Sequence, residues 1–227
     1  MNQKTGLKKT PEVQLPVFPS ISSNLSQSTL AKNTQLACSS LGIRRVYAKG
    51  KQSTESLMSE KIAAASVLRI MAVSGQSLIK GHKEELVAAL RDRSAVIQVL
   101  VAEPYSQFVD DVEKTESMDR VGQISPEITQ TDALLREYLA EARESTKGKK
   151  QIGRVLVGNF TTHLRASILV CDDQWCWYKP NIPPKRAVET FSLELIEQPS
   201  GLLRDCIIHF ERIWKLMEDA GRTRELK

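Results

Sequence analysis

The segment Thr161–Pro184 contains the side chains best suited to catalysis or ligand binding. His163 and Arg165 precede an apolar run, Ile168–Cys171, and the acidic pair Asp172-Asp173 follows that run. A neutral imidazole is a nucleophile and a protonated one is an acid, both near pH 7. A guanidinium stays protonated and presents a planar fork of donors to an anion. The segment could therefore attack a phosphate through the histidine or hold one through the arginine.

The same segment predicts a β-hairpin. A second short run, Trp175–Tyr178, begins almost at once after the acidic pair. Two apolar runs separated by a few turn-forming residues are typical of a strand, a tight turn and a returning strand. The two tryptophans of the second run, Trp175 and Trp177, could stack on nucleic acid bases, or they could be packing residues of the hairpin.

The residues Arg165–Asp173 resemble the signature strand of the phospholipase D-like superfamily, in which His-x-Lys is followed by four residues and an aspartate. Asp172 matches the aspartate, whereas Arg165 stands at the histidine position and Ser167 at the lysine position. The chemistry that this resemblance implies is phosphodiester cleavage through a phosphohistidine, with lysine side chains holding the phosphate oxygens. Active members of the superfamily need two such motifs, which come from one chain or from a dimer. Because an arginine is not a nucleophile, we expect a catalytically degenerate domain here.

A shifted alignment to the same signature is compatible with an enzyme. His163-Leu164-Arg165 is itself a His-x-basic triplet, although Asp172 then lies two residues too far along the chain. In this alternative the protein is a metal-independent phosphodiesterase or nuclease with His163 as the catalytic residue, working as a homodimer. Which alignment holds stays open at this point.

A strand that has lost the catalytic histidine and lysine of the signature can still bind anions. Arg165 would hold a phosphate and Asp172 would orient that arginine. Ser74–Ser77 follows a predicted buried strand, at the position where α/β sheets place ligands, although it could equally be a plain loop. The candidate ligand-binding residues are Arg165, Ser167, Asp172, Ser74, Gln76 and Ser77.

Hydrophobic periodicity predicts the elements that carry these residues. Strands are expected at residues 43–47, 67–73, 95–101, 153–157, 168–171, 175–178 and 189–196. Helices are expected at 55–65, 82–93, 105–118, 125–145 and 201–220. Strand, helix and strand over residues 67–101 form a βαβ unit, which requires parallel strands. The fold class is therefore α/β, and the resemblance, which extends over about residues 42–215, implies a mixed sheet flanked by helices. Gly42–Tyr47 and Leu68–Ser74 also look like bacterial regulatory or defence-associated members of that superfamily.

Basic charge is concentrated near the N-terminus. Residues 1–50 hold seven basic residues and one acid, while the whole chain has a net charge of +5. We expect a flexible basic arm at residues 1–40, one domain at 41–221 and a polar tail at 222–227. Basic arms can contact nucleic acid phosphates, or they can be solvated tails without a partner. The candidate nucleic-acid-binding residues are Lys4, Lys8, Lys9, Arg44 and Arg45.

Composition limits the class of protein. The chain has 227 residues, 41% of them hydrophobic, and no apolar run long enough to span a bilayer. It has no secretory signal, so a cytoplasmic protein is expected. The four cysteines lack zinc-like spacing, and we expect no metal and no cofactor. Candidate partners are nucleic acid, a phosphorylated small molecule, a protein and a second copy of the chain.

Overall fold

The computed structural model describes residues 27–48, 55–116, 121–146, 151–164, 166–182 and 190–227. The chain divides into two units, residues 1–35 and 36–227. In the first unit, residues 27–35 belong to a helix, α1 (Gln27–Ser40), where the sequence predicts a flexible arm. The predicted phosphate-contacting Lys4, Lys8 and Lys9 lie outside the described residues.

The described part of the second unit contains eight strands and six helices in addition to α1. The strands are β1 (Ile43–Tyr47), β2 (Val67–Met71), β3 (Val96–Ala102), β4 (Arg154–Phe160), β5 (Ala166–Cys171), β6 (Trp175–Pro180), β7 (Ser192–Ile196) and β8 (Thr223–Glu225). The helices are α2 (Glu55–Ala64), α3 (Gln76–Gly81), α4 (Lys83–Asp92), α5 (Gln107–Glu116), α6 (Ile124–Thr146) and α7 (Leu202–Asp219).

All eight strands form one mixed sheet in the order β1-β7-β6-β5-β2-β3-β4-β8. β2, β3 and β4 are parallel to one another, and every other neighbouring pair is antiparallel. The predicted parallel pairing of the strands now defined as β2 and β3 is confirmed, as is the α/β class with a mixed sheet between helices. The parallel strands are nearly continuous apolar runs, which is typical of strands covered on both faces.

The two faces of the sheet carry different helices. Arg69 on β2 reaches Glu211 of α7 at 3.6 Å, so α7 covers the face to which Arg69 points. The next residue, Ile70, points to the opposite face because successive side chains alternate along a strand. That opposite face is covered by α2, α3, α4 and α6, which pack against one another.

The predicted hairpin is confirmed. β5 and β6 pair from Ala166↔Pro180 to Cys171↔Trp175, and Asp172 and Asp173 make the turn with positive φ angles of 51° and 59°. Two consecutive residues in the left-handed region define a type I′ turn, whose twist matches that of the flanking strands. Aspartate tolerates this conformation better than most residues do.

Three local predictions are wrong. Residues 222–227 are not a polar tail, because β8 pairs with β4 and Leu226 is buried. The predicted loop Ser74–Ser77 ends early, since α3 begins at Gln76. The helix predicted to start at Ser125 begins at Ile124 as α6, so Ser125 lies inside it, and the Ser125 hydroxyl accepts a hydrogen bond from the main-chain N–H of Tyr105 at 2.8 Å. Within the described residues, no helix has both the length and the hydropathy needed to cross a membrane.

Candidate functional site

A cavity of about 710 Å³ lies at the carboxyl end of β2, on the face of the sheet opposite α7. Its sheet wall comes from β2, β5 and β6. Its helical wall comes from α2, α3, the start of α6 and His82, the residue between α3 and α4. Four of the predicted ligand-binding residues line this cavity, although they are far apart in sequence: Ser74, Gln76, Ser77 and Ser167.

Lys179 is the cation of this cavity, and sequence reasoning missed it. It lies directly opposite Ser167 on the paired strands β5 and β6, and both residues line the cavity. Burial lowers the pKa of the Lys179 ammonium from its usual value. None of the described residues forms an ion pair with it. Counting outward from a two-residue Asp172-Asp173 turn would have placed Tyr178 opposite Ser167. The observed register includes Gln174 in the loop, and this shift is what brings Lys179 opposite Ser167.

The segment after β2 brings polar groups to the same cavity. Gly75 has a φ of 69°, a conformation that glycine adopts without strain, and it turns the chain from β2 into α3. The main-chain carbonyl of Ser74 accepts a hydrogen bond from the Thr131 hydroxyl at 2.8 Å, which fixes the segment against α6. The Gln76 side-chain amide donates to Gln130, so part of its hydrogen-bonding capacity is already used.

His82 forms part of the helical wall and was read from sequence only as the start of a helix. Its side chain is buried, with Nδ1 3.3 Å from the hydroxyl of Ser59 and 4.0 Å from a carboxylate oxygen of Glu85. Burial lowers the pKa of the His82 imidazole, although the nearby carboxylates of Glu85 and Glu55 oppose this effect. The neutral ring is therefore favoured.

Asp172, which the sequence predicts to bind ligand and to orient Arg165, does not line this cavity. Its Oδ1 accepts main-chain hydrogen bonds from Ser66 and Val67, each at 2.8 Å, at the start of β2. Ser167 is near the other end of β5, about 16 Å away at roughly 3.3 Å per residue. Arg165 itself lies outside the described residues.

The catalytic candidate His163 is exposed on the segment between β4 and β5. Its ring meets the edge of Phe108 at a centroid distance of 5.4 Å, and it does not line the cavity. The alternative alignment would therefore place its nucleophile apart from Ser74, Ser77 and Ser167.

The two arginines predicted to contact nucleic acid lie on the edge strand β1. Arg44 is 3.4 Å and Arg45 is 3.9 Å from carboxylate oxygens of Glu194, a residue only 1% exposed. Both guanidinium groups remain largely exposed, but each shares the same buried carboxylate. Their charge is therefore partly offset by the fold itself.

The aromatic residues of β6 pack inside the protein. Trp177 is buried between Tyr47, at a centroid distance of 4.9 Å, and Trp175, at 6.2 Å. Both ring neighbours are side chains of the protein, and Trp177 is also one of the residues that line the cavity. The interpretation of Trp175 and Trp177 as packing residues is the one that this geometry supports.

The four cysteines are free, and Cys171, Cys176 and Cys206 are buried. Burial raises the pKa of the Cys171 thiol to about 12, so it stays protonated at neutral pH. Among the described residues there is no group of histidine, cysteine and acidic side chains that could hold a metal ion.

No protein-family model matches the chain, and no curated protein matches its sequence. Solved structures with a similar arrangement include Nuc from Salmonella typhimurium, a phospholipase D family member: 15% identity, a TM-score of 0.47, and coverage of 81% of this chain and 97% of that one. TrmBL2, an archaeal chromatin protein with a novel mode of DNA binding, has 9% identity, a TM-score of 0.45 and coverage of 83% and 60%. Phosphatidylserine synthase from Haemophilus influenzae has 14% identity, a TM-score of 0.42 and coverage of 80% and 38%. The first of these belongs to the family that the sequence resembles.

Proposed function

We propose that the cavity binds the phosphate group of a small phosphorylated ligand, and that the protein is a binding module with a regulatory or defence-associated role in the cytoplasm. One observation carries this proposal. Lys179 and Ser167 form a cross-strand pair, and both line the cavity that also contains Ser74 and Ser77. An ammonium with several hydroxyl donors around it is the chemistry that a phosphate requires.

The electrostatics of Lys179 support an anionic ligand. Its pKa is lowered by burial, which means that the charged form is poorly solvated where it lies. A bound phosphate would give this ammonium a negatively charged partner, whereas the cavity-lining Glu55 and Glu127 do not form an ion pair with it. Arg165 precedes β5 directly in the sequence, and in this proposal it acts as a second cation.

The resemblance to the phospholipase D-like signature indicates a role for the Ser167–Lys179 pair. The strand β5 carries Ser167 where the superfamily pattern has a lysine, and Lys179 brings an ammonium to that position from the facing strand. We propose that phosphate binding has persisted in this way while the nucleophile has been lost. The alternative phosphodiesterase built on His163 gains no support from the geometry, because His163 lies outside the cavity.

Calorimetric titration with inorganic phosphate and with phosphomonoesters tests the proposal. Lys179→Ala is expected to weaken binding at least about tenfold, since a charge-assisted hydrogen bond contributes about 1.5–3 kcal/mol. Lys179→Arg keeps the charge and is expected to retain most of the affinity. Lys215→Ala removes a lysine from α7, on the opposite face of the sheet, and controls for the change in net charge. Equal affinities for the wild type and Lys179→Ala would rule out this site.

A further inference from the structure

His82 has one ring nitrogen engaged and one left over. Both Ser59, at 3.3 Å, and Glu85, at 4.0 Å, approach Nδ1. A carboxylate near Nδ1 favours a proton on that atom, and we assign this tautomer. In the neutral ring Nε2 is then a hydrogen-bond acceptor.

The remaining ring nitrogen of His82 is Nε2. The structure shows no hydrogen bond between Nε2 and any described residue. Every fully buried side-chain nitrogen or oxygen atom among the described residues has a hydrogen-bond partner, so Nε2 is not fully buried. Nε2 must therefore be accessible to a water-sized group, although the whole residue is only 5% exposed. The open space that His82 lines is the cavity, so the free acceptor is directed into it.

The cavity thus has polar groups on two different walls. Lys179 and Ser167 belong to the sheet wall, whereas His82 and Ser59 belong to the helical wall. Apolar side chains line the space as well: Met58, Ile70 and Leu169. A ligand whose phosphate is held at Lys179 would lie along these apolar groups, with its other end toward His82.

The geometry points to His82 as a second recognition group, which accepts a hydrogen bond from an uncharged N–H or O–H group at the far end of a phosphomonoester. This inference rests on the proposed phosphate site and names the class of ligand that the site takes. A second phosphate is a poor match for the helical wall, because Glu55 also lines it. Nucleoside monophosphates and sugar phosphates share the required chemistry, and 710 Å³ lies within the usual range of small-molecule sites.

Nitrogen NMR of the histidine rings tests this directly in the wild-type protein. The chain has only three histidines, so labelling with ¹⁵N-histidine gives a spectrum that can be assigned with single variants. Inorganic phosphate, adenosine monophosphate and ribose 5-phosphate are the probes. A shift of the Nε2 signal of His82 is expected with one or both organic phosphates and not with inorganic phosphate. A response to the nucleotide alone assigns the donor to the base, and a response to both assigns it to the sugar.

Binding that leaves the His82 signals unchanged for all three probes would overturn the inference and leave the phosphate site intact. Failure of all three to bind would overturn the proposed function and this inference together. The exposed residues His163 and His209 serve as internal references in the same spectra.

Two substitutions at His82 separate recognition from structure. His82→Leu removes the acceptor and is expected to weaken the donor-bearing ligand about tenfold while leaving inorganic phosphate unaffected. His82→Gln places an amide oxygen near the position of Nε2 and is expected to restore much of the affinity. If His82→Leu does not fold, the glutamine variant and the NMR titration still decide. Equal weakening of inorganic phosphate and the larger ligand would show that His82 has only a structural role.

Discussion

Asp172 and Val67 are joined by two hydrogen bonds in opposite directions. The main-chain N–H of Val67 donates to the Asp172 carboxylate at 2.8 Å, and the main-chain N–H of Asp172 donates to the carbonyl of Val67 at 2.9 Å. The same carboxylate oxygen also accepts from the N–H of Ser66. The acidic end of the signature strand therefore fastens the β5–β6 turn to the start of β2, away from the cavity.

Removal of this carboxylate is expected to lower stability and leave the site intact. Asp172→Ala deprives two main-chain N–H groups of their acceptor and places an alanine at a positive φ, so we expect a loss of about 2–3 kcal/mol in the free energy of unfolding. Asp172→Asn keeps an acceptor oxygen and tolerates that φ, and should cost less. Urea unfolding measures both. A loss of phosphate affinity without a loss of stability would contradict this assignment.

Lys179→Met is expected to raise stability and abolish phosphate binding. A charged ammonium whose pKa is lowered by burial is poorly solvated in the folded state, and methionine fills similar space without that cost. Because Lys179 keeps some access to solvent, the expected gain is only about 0.5–1 kcal/mol. Thermal unfolding without ligand measures it, with Lys215→Met on the far face of the sheet as the control. A loss of stability in Lys179→Met would mean that the ammonium has a stabilising partner.

The fold was largely predictable because its main elements are strongly patterned. α7 repeats buried apolar residues at helical spacing, and β2 and β3 are apolar runs on either side of the helical segment that contains α3 and α4. β8 was missed because a three-residue strand of Thr223, Arg224 and Glu225 carries no apolar pattern. Its pairing depends on β4, which lies far away in sequence.

The site was only partly predictable, for reasons of geometry. The motif was read as one site, but its described positions Ser167 and Asp172 lie about 16 Å apart, at roughly 3.3 Å per residue along an extended strand. Lys179 was hidden in the returning strand of the hairpin, since its role depends on register and not on local sequence. His82 gave no signal either, because a lone histidine before a helix becomes part of a site only when α2 brings Ser59 beside it.

His82 is expected to make stability depend on pH. Its folded-state pKa lies below the ordinary value of about 6.5, so the unfolded chain binds a proton first as the pH falls. Stability is therefore complete above about pH 6.5 and is lost as the pH falls from there toward the lowered pKa. The groups facing the ring are Ser59 and Glu55 on α2 and Glu85 on α4, and both carboxylates limit the effect.

Urea unfolding at pH 7.5 and pH 5 measures this dependence. The wild type is expected to lose more stability than His82→Gln over this interval, because all other titrating groups are common to both proteins. His209→Gln, at an exposed position on α7, controls for the removal of a histidine elsewhere. Identical pH profiles for the wild type and His82→Gln would contradict the prediction.

Glu194 on β7 is expected to be among the most sensitive positions in the sheet. It is 1% exposed and accepts hydrogen bonds from the indole N–H of Trp175 at 3.2 Å and the hydroxyl of Tyr47 at 3.1 Å, while Arg44 lies 3.4 Å away. Glu194→Ala would leave these donors without an acceptor, and removal of one partner from a buried charged network costs about 3–5 kcal/mol. Arg45 is the second cation that loses its partner.

Glu194→Gln is the matched variant, because it keeps one acceptor oxygen for the buried indole while removing the charge. It should be less destabilising than Glu194→Ala, and urea unfolding followed by the fluorescence of the three tryptophans, Trp175 among them, measures the difference. If the two variants were equally stable, the carboxylate would matter through its charge alone. If instead Glu194→Gln were the milder variant and Arg44→Ala and Arg45→Ala left stability unchanged, the indole and hydroxyl donors would carry the effect, and both arginines would be free to contact a nucleic acid backbone.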